Sequence, residues 1–443
     1  MSIDALKFPL GLFTKKIKYS VLSFVGDSIA QTLYLAKWLT PGLAVKRWLA
    51  INFIGMMTIA LGINYLAKLL VVNYEIATGN CSWGIMTIAL GMYLSVWGQV
   101  CFARSITQPF KSEGDLALID LLLTHNRLQR GAKIVAVGGG TGLSSLLRGL
   151  KHYTNNLTAV VTVADDGGSS GRLRKELGVL PPGDIRNCIT ALAKEESLLS
   201  KLFEYRFSAG EGLKGHSFGN LFLTAMSEIT GNLETAIAAC SKILAVRGDV
   251  LPATLADVNL WAQLEGGQIV TGECNIAATE GKIDQIGCIP SNPKALPRVI
   301  QAIKSADCIV LGPGSLYTSI IPNLLVPEIC EAIATAKVPR IYVCNIMTQP
   351  GETDGYSVSD HLKAIDRACG RSLFDAVLVN VGTPSPQAIA LYALQGSHPV
   401  VLDREQIEAT GRRVILADIL DEDFYTHHIR HHSSKLAQQL SNL

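Results

Sequence analysis

Two long apolar runs near the N-terminus set the first limit on what this chain can fold into. LAINFIGMMTIALGINYLAKLLVV (residues 49–72) and CSWGIMTIALGMYLSVWGQVCFA (residues 81–103) are each long enough to cross a bilayer as a helix. Lys68 is their one charged residue, placed near an end where its ammonium reaches the headgroups, and Trp83 and Trp97 fall near interface depths. Soluble helices seldom run apolar all round for so long, so the pair reads as a transmembrane hairpin. The loop between the runs holds Glu75, whereas Lys15, Lys16, Lys18, Lys37, Lys46 and Arg47 precede the first run and Arg104 and Lys111 follow the second. The positive-inside rule places both flanks in the cytoplasm, which predicts a multi-pass protein of the inner membrane. The first run is too deep and too long for a cleavable signal peptide and lacks a small-residue cleavage site. The pairs Gly55 and Gly62, and Gly84 and Gly91, lie seven residues apart and let helices approach closely.

A chain of 443 residues with 48% apolar character needs two or three folding units. The expected division is a cytoplasmic N-terminal segment 1–48, the hairpin 49–103, a linker 104–131 holding the amphipathic stretch LALIDLLL, and a cytoplasmic domain 132–443. Net charge is only +2, so a nucleic-acid partner is excluded. The ten cysteines show neither a CxxC pair nor zinc-ligand spacing, as expected of buried thiols in a reducing compartment. Within 132–443 the short apolar runs KIVAVG, LTAVVTVA, ADCIVLG, RIYVCNI and FDAVLVNVG alternate with helical stretches. That alternation predicts an α/β class: a doubly wound, mostly parallel Rossmann-like sheet. VNLWAQLEGGQIVTGE, inside residues 246–290, alternates apolar and polar residues around a Gly-Gly turn and predicts a small antiparallel excursion.

The chemistry-bearing motifs fall where predicted strands end. GGGTGL (residues 138–143) follows the first strand and opens a helix, so the backbone of Gly139, Gly140 and Gly142 and the hydroxyl of Thr141 can face a phosphate. It is no Walker A loop, and Leu143 breaks the strict dinucleotide pattern. After the second strand, ADDGGSSGRLR supplies Asp165 and Asp166, which can ligate Mg²⁺, bind sugar hydroxyls or act as a base. Ser169, Ser170 and Arg172 beside them are donors for anionic oxygens. PPGDIRN offers Asp184 as a helix N-cap and Asn187 as a ligand contact, with Arg186 between them. GHSFGN adds His216 and Asn220; GPGSLYTSIIPNLL adds Gly312, Ser315 and Tyr317; NIMTQPGET adds Asn345, Thr348 and Glu352. Several such loops at the carboxyl ends of one sheet predict a shared crevice.

Taken in order, GGGTGL, ADDGGSSGRLR, PPGDIRN, GHSFGNL, GPGSLYTSIIPNLL and NIMTQPGET resemble the YvcK/CofD-like family over roughly residues 132 to 443. The resemblance implies one of two branches. Gluconeogenesis factors are bacterial proteins needed for cell shape and wall growth on gluconeogenic carbon sources, and they bind UDP-activated amino sugars. The 2-phospho-L-lactate transferases move a phospholactyl group from a nucleotide-activated donor to a deazaflavin alcohol with Mg²⁺. IRHHSSKLAQQL (residues 429–440) resembles the terminal helix of the first branch. Within THHIRHH, His427 with His431 and His428 with His432 have i,i+4 spacing that would chelate a metal on a helix, although solvated terminal residues fit the pattern better.

The sequence therefore predicts a membrane-tethered binder of a UDP-sugar, expected to be UDP-N-acetylglucosamine, or of another nucleotide-activated small molecule. It would report wall-precursor status to protein partners in envelope synthesis, as a homo-oligomer. Gly138 to Gly142 would hold the diphosphate, Asp165 and Asp166 hydroxyls or a cation, and Arg430 would close over the phosphates from the end of the chain. The alternatives are a Mg-dependent phospholactate transferase, with Asp165 or Asp166 as metal ligand or base, and an NAD-dependent oxidoreductase, for which the sequence announces no hydride-transfer pocket.

Overall fold

A computed structural model describes residues 45–72, 77–107, 126–194 and 198–442. Lys15, Lys16, Lys18, Lys37, Glu75, Lys111 and the amphipathic stretch 116–123 lie outside the described residues. The chain forms two units, Met1–Leu123 and Thr124–Leu443.

In the first unit, helices Val45–Val72 and Ala77–Thr107 pack side by side. Their contacts run in opposite directions along the sequence: Gly98 meets Asn52, Gly91 meets Gly55 and Gly84 meets Leu66, so the helices are antiparallel. A β-carbon on Gly55 would lie 2.8 Å from the Gly91 carbonyl, and one on Gly91 2.7 Å from the Gly55 carbonyl. The glycines are there because the backbones touch. Trp48 and Trp97 meet edge to face at 5.6 Å. Thr58 and Thr87 donate their hydroxyls to their own helix carbonyls, which leaves Phe53, Met56, Leu61, Ile85, Leu90 and Tyr93 facing outward. The apolar segments Arg47–Leu69 and Cys81–Ala103 are 23 residues each, with mean hydropathy 1.7 and 1.5. At 1.5 Å rise per residue each spans roughly 35 Å, long enough for a hydrocarbon core of about 30 Å.

The second unit is built on a seven-stranded sheet. Its strands are β1 (Ile134–Gly138), β2 (Leu157–Val161), β3 (Asp249–Pro252), β7 (Cys308–Leu311), β8 (Arg340–Val343), β9 (Ala376–Asn380) and β10 (Arg413–Ala417). Their spatial order is β10-β9-β8-β7-β1-β2-β3, and every pairing is parallel. Parallel strands covered on both faces must be apolar throughout, and β1 is buried at all five positions. Its pleat sends Val135 and Val137 into one core and Ile134 and Ala136 into the other. β4 (Asn259–Leu264), β5 (Ile269–Thr271) and β6 (Ile283–Ile289) form a separate antiparallel sheet. The excursion expected over 246–290 is thus narrower, because β3, inside that interval, pairs parallel with β2 and completes the main sheet.

The chain end departs from a single terminal helix. β11 (Leu420–Glu422) pairs antiparallel with β12 (Ile429–His431), and only then does the helix Ser433–Ser441 begin, with His432 as its N-cap. His427, at φ +53°, lies in the hairpin turn and His431 lies on a strand, so the i,i+4 histidine spacing never falls on a helix. The terminal helix lies against helix Gly140–Leu150, where a β-carbon on Gly149 would overlap the Ser433 carbonyl.

Candidate functional site

Strand order reverses between β1 and β7, and there a cleft of about 680 Å³ opens beyond the carboxyl ends of the strands. Gly139, Gly140, Thr141 and Gly142 form one wall. Gly139 is extended (φ −170°) and Gly140 left-handed (φ +62°), so the helix Gly140–Leu150 starts without a side-chain cap from its own N-cap residue. A β-carbon on Gly142 would stand 2.4 Å from the Pro313 carbonyl, so this turn and the Gly312–Ser315 loop are in backbone contact. Glycine is required there for close approach.

The other loops reach the same cleft. Asp165, Asn187, Ser315, Asn345, Thr348 and Arg430 all line it, so residues nearly 300 positions apart in the sequence converge at one rim. Several hold the rim in shape. Asn345 clamps Gly314 in both directions, its Oδ1 accepting the Gly314 N–H (3.3 Å) and its Nδ2 donating to the Gly314 carbonyl (2.9 Å). Gln349 Nε2 donates to Ser315 Oγ (2.8 Å). Thr348 Oγ1 accepts the His398 N–H (2.9 Å), and Arg186, 9% exposed, donates to Asn187 Oδ1 (2.6 Å).

The remaining residues named from sequence stand behind the rim. Ser169, His216 and Asn220 form a buried network, with Ser169 Oγ 2.9 Å from His216 Nδ1 and accepting from Asn220 Nδ2 at 3.1 Å. Burial, and then Arg172, lower the His216 pKa, so its ring is neutral at pH 7. Ser170 Oγ accepts the Gly183 N–H (3.1 Å) and Arg172 donates to the Lys214 carbonyl (2.8 Å). Gly312 donates its N–H to Val137 (2.9 Å) and turns at φ +80°. Tyr317 shares its hydroxyl with Tyr356 (2.9 Å) and donates its N–H to buried Glu352 (3.2 Å). Gly312 supplies a turn, and the other seven, with Asp166, make hydrogen bonds that brace loops, a duty that sequence position alone does not separate from ligand contact.

The adjacent acids part company. Asp166 turns away from the cleft and accepts the N–H groups of Glu273 and Cys274, both at 2.9 Å, at the start of helix Glu273–Ala278. Asp165 accepts the Gly167 N–H at 2.9 Å and faces the cleft. The pair therefore does not fit a shared magnesium ion. Asp166, Glu273 and Cys274 bring ligand atoms within 4.8 Å of one another, but burial and then the Glu273 carboxylate push the Cys274 thiol up to about 12. A protonated thiol does not suit a cation that takes oxygen ligands.

Two cleft acids escaped the sequence reading. Glu273 follows Gly272 in a stretch with no motif, and only the fold brings it beside Asp165; burial, then Asp165, push it up to about 7. Asp184 was expected to cap its own helix, Gly183–Leu192, but Pro182 holds that position. Its carboxylate instead lies against the glycine turn, where a β-carbon on Gly139 would stand 2.6 Å from Oδ2, and burial, then Asp165, push it up to about 6. Among the described residues none of these three acids is in an ion pair. Cations line the cleft elsewhere. Arg148 lies on helix Gly140–Leu150, which packs against β12, the strand of Arg430. Arg430 Nε donates to His428 Nδ1 (3.1 Å), and His428 stands edge-on to Tyr392, whose hydroxyl accepts the Ile429 N–H (3.0 Å). His431 donates Nε2 to the Cys344 carbonyl (3.2 Å), and burial lowers it to about 4.

Residues 134–420 match the family described as 2-phospho-L-lactate transferase CofD. The chain belongs to the CofD family. Among its members, the gluconeogenesis factor of Bacillus subtilis (strain 168) is 48% identical over 311 residues, spanning 70% of this chain and 98% of its own. A CofD-family relative from Nostoc sp. (strain PCC 7120), provisionally given the same factor name, is 59% identical over 417 residues and 91% of both chains. That likeness extends beyond the α/β unit into the first. A crystal structure of a Bacillus halodurans protein superposes with a TM-score of 0.68 at 48% identity, over 70% of this chain and 99% of that one.

Proposed function

We propose that the chain is a gluconeogenesis factor whose cleft binds a UDP-sugar, in the first place UDP-N-acetylglucosamine, and that it regulates cell shape, envelope synthesis and carbon metabolism from the membrane face. The observation that carries this reading is the convergence of two glycine turns and an arginine hairpin on one cleft at the strand-order reversal. In it, the Thr141 and Gly142 amides and the Gly314 loop receive the diphosphate, Arg148 and Arg430 neutralise it, and the Tyr392 ring takes the base. Asp165 and Glu273 accept from sugar hydroxyl or amide groups. Binding alone fulfils this role, and no bond need be made or broken. The helix pair, apolar on its outer surface, inserts as a hairpin and holds the cleft in the cytoplasm near wall-building partners.

A transferase reading is favoured by one observation, the matched family's own description. Incubating the full-length chain in detergent micelles with UDP-N-acetylglucosamine separates the two when a parallel reaction holds deazaflavin alcohol, nucleotide-activated phospholactate and Mg²⁺. The regulatory reading predicts that mass spectrometry recovers the bound nucleotide-sugar intact and finds no phospholactyl product. Phospholactyl transfer would replace it with the enzymatic reading.

A further inference from the structure

What stands at the uncapped start of helix Gly140–Leu150 is a carboxylate from another helix. Asp184 stands against that turn: a β-carbon built on Gly139 would lie 2.6 Å from Asp184 Oδ2. The glycine turn is closed tightly over that oxygen. Its neutral neighbours at Gly139 are Thr162 and Ser319. The charged or titratable groups facing it are Asp165, from the loop after β2, and Arg186 and Cys188 on its own helix, with Glu273 beyond Asp165 and Arg148 further along helix Gly140–Leu150. Helix N-terminal amides are where a phosphate oxygen binds, and a carboxylate is an acceptor of the same kind.

We propose that Asp184 is an internal stand-in for the ligand's phosphate, occupying the helix N-terminus while the cleft is empty and taking up a proton from solvent when a diphosphate binds beside it. This rests on the nucleotide-sugar reading and adds a proton as its regulator. The sign follows from charge. Burial and Asp165 already push Asp184 up to about 6, and an arriving diphosphate adds a repulsion that favours the neutral acid. Once protonated, the side chain donates to a phosphate oxygen where it had repelled it. The diphosphate of a nucleotide-sugar is a diester with no group of its own titrating near neutrality, so the proton taken up belongs to the protein. Nucleotide affinity therefore falls as pH rises above the Asp184 value, and acidification of the cytoplasm tightens binding.

The test is calorimetric titration of UDP-N-acetylglucosamine into the full-length chain in detergent micelles. Titrations run from about pH 6 to about pH 8, in paired buffers of different ionisation enthalpy that count protons. Wild type is expected to take up close to one proton at the upper end and to lose up to about tenfold in affinity per pH unit. Asp184→Asn should bind more tightly than wild type at the highest pH, without proton uptake. Glu273→Gln removes a sugar contact and is expected to weaken binding, yet to keep the proton count per nucleotide bound, which assigns the proton to Asp184. Nucleotide-sugar binding by wild type without proton uptake, or with uptake that survives in Asp184→Asn, overturns this proposal and leaves the nucleotide-sugar reading standing. Absence of binding in wild type and both variants overturns the two together.

Discussion

Asp165 and Asp166 are neighbours with opposite duties, and the difference lies in direction. One loop residue faces the cleft, and the next caps the helix Glu273–Ala278 with both oxygens. Asp166→Ala leaves two helix-start amides without their acceptor, which costs about 1–2 kcal/mol by the usual worth of such a cap. Urea unfolding followed by circular dichroism should show the lowered midpoint, while nucleotide-sugar affinity stays at the wild-type level. If Asp166→Ala instead abolished binding with an unchanged midpoint, the carboxylate would belong to the ligand. Such duties are hard to read from sequence, because capping, loop bracing and ligand contact all select Asp, Ser, Asn and Gly at strand ends. The glycine turn was legible because backbone approach admits no other residue. Ser169, His216 and Asn220 were not legible, since a buried hydrogen-bond network uses the same side chains as a binding site. Glu273 carried no local signal at all; its place beside Asp165 comes from tertiary contact.

At the scale of elements, legibility followed the hydrophobic pattern. The five apolar runs read as strands became β1, β2, β7, β8 and β9, because strands buried on two faces must be apolar without interruption. β3 and β10 were harder. Both are edge strands of the sheet, and β10, with most of its residues partly or fully exposed, carries a weaker signal. The chain end misled for a different reason: the hairpin of β11 and β12 is only three residues per strand, too short for period-2 alternation to show against helical spacing. The helix pair was the clearest element, and its outward-facing Phe, Met, Leu and Ile side chains set its prediction. Alkaline carbonate extraction of bacterial membranes should leave the full-length chain in the pellet and release a chain beginning at Thr124 into the supernatant. Release of both would mean that the hairpin does not insert.

Across the whole molecule, the Thr124–Leu443 unit matches relatives that consist of little else, such as the Bacillus subtilis factor covered over 98% of its length. The helical unit is shared with relatives of similar total length, such as the Nostoc protein. On the proposed reading, function divides along the same line, with ligand chemistry assigned to the α/β unit and location to the hairpin. The decisive measurement is the binding of UDP-N-acetylglucosamine to full-length protein by isothermal titration, compared with Gly142→Ala, whose new β-carbon would press 2.4 Å from the Pro313 carbonyl between the two glycine loops, and with Arg430→Ala, which leaves those loops intact. Saturable one-to-one binding by wild type, weakened at least about tenfold (about 1.4 kcal/mol) in each variant, is the expected result. No binding heat from wild type, or equal affinity in all three proteins, would show that nucleotide recognition does not reside in this cleft.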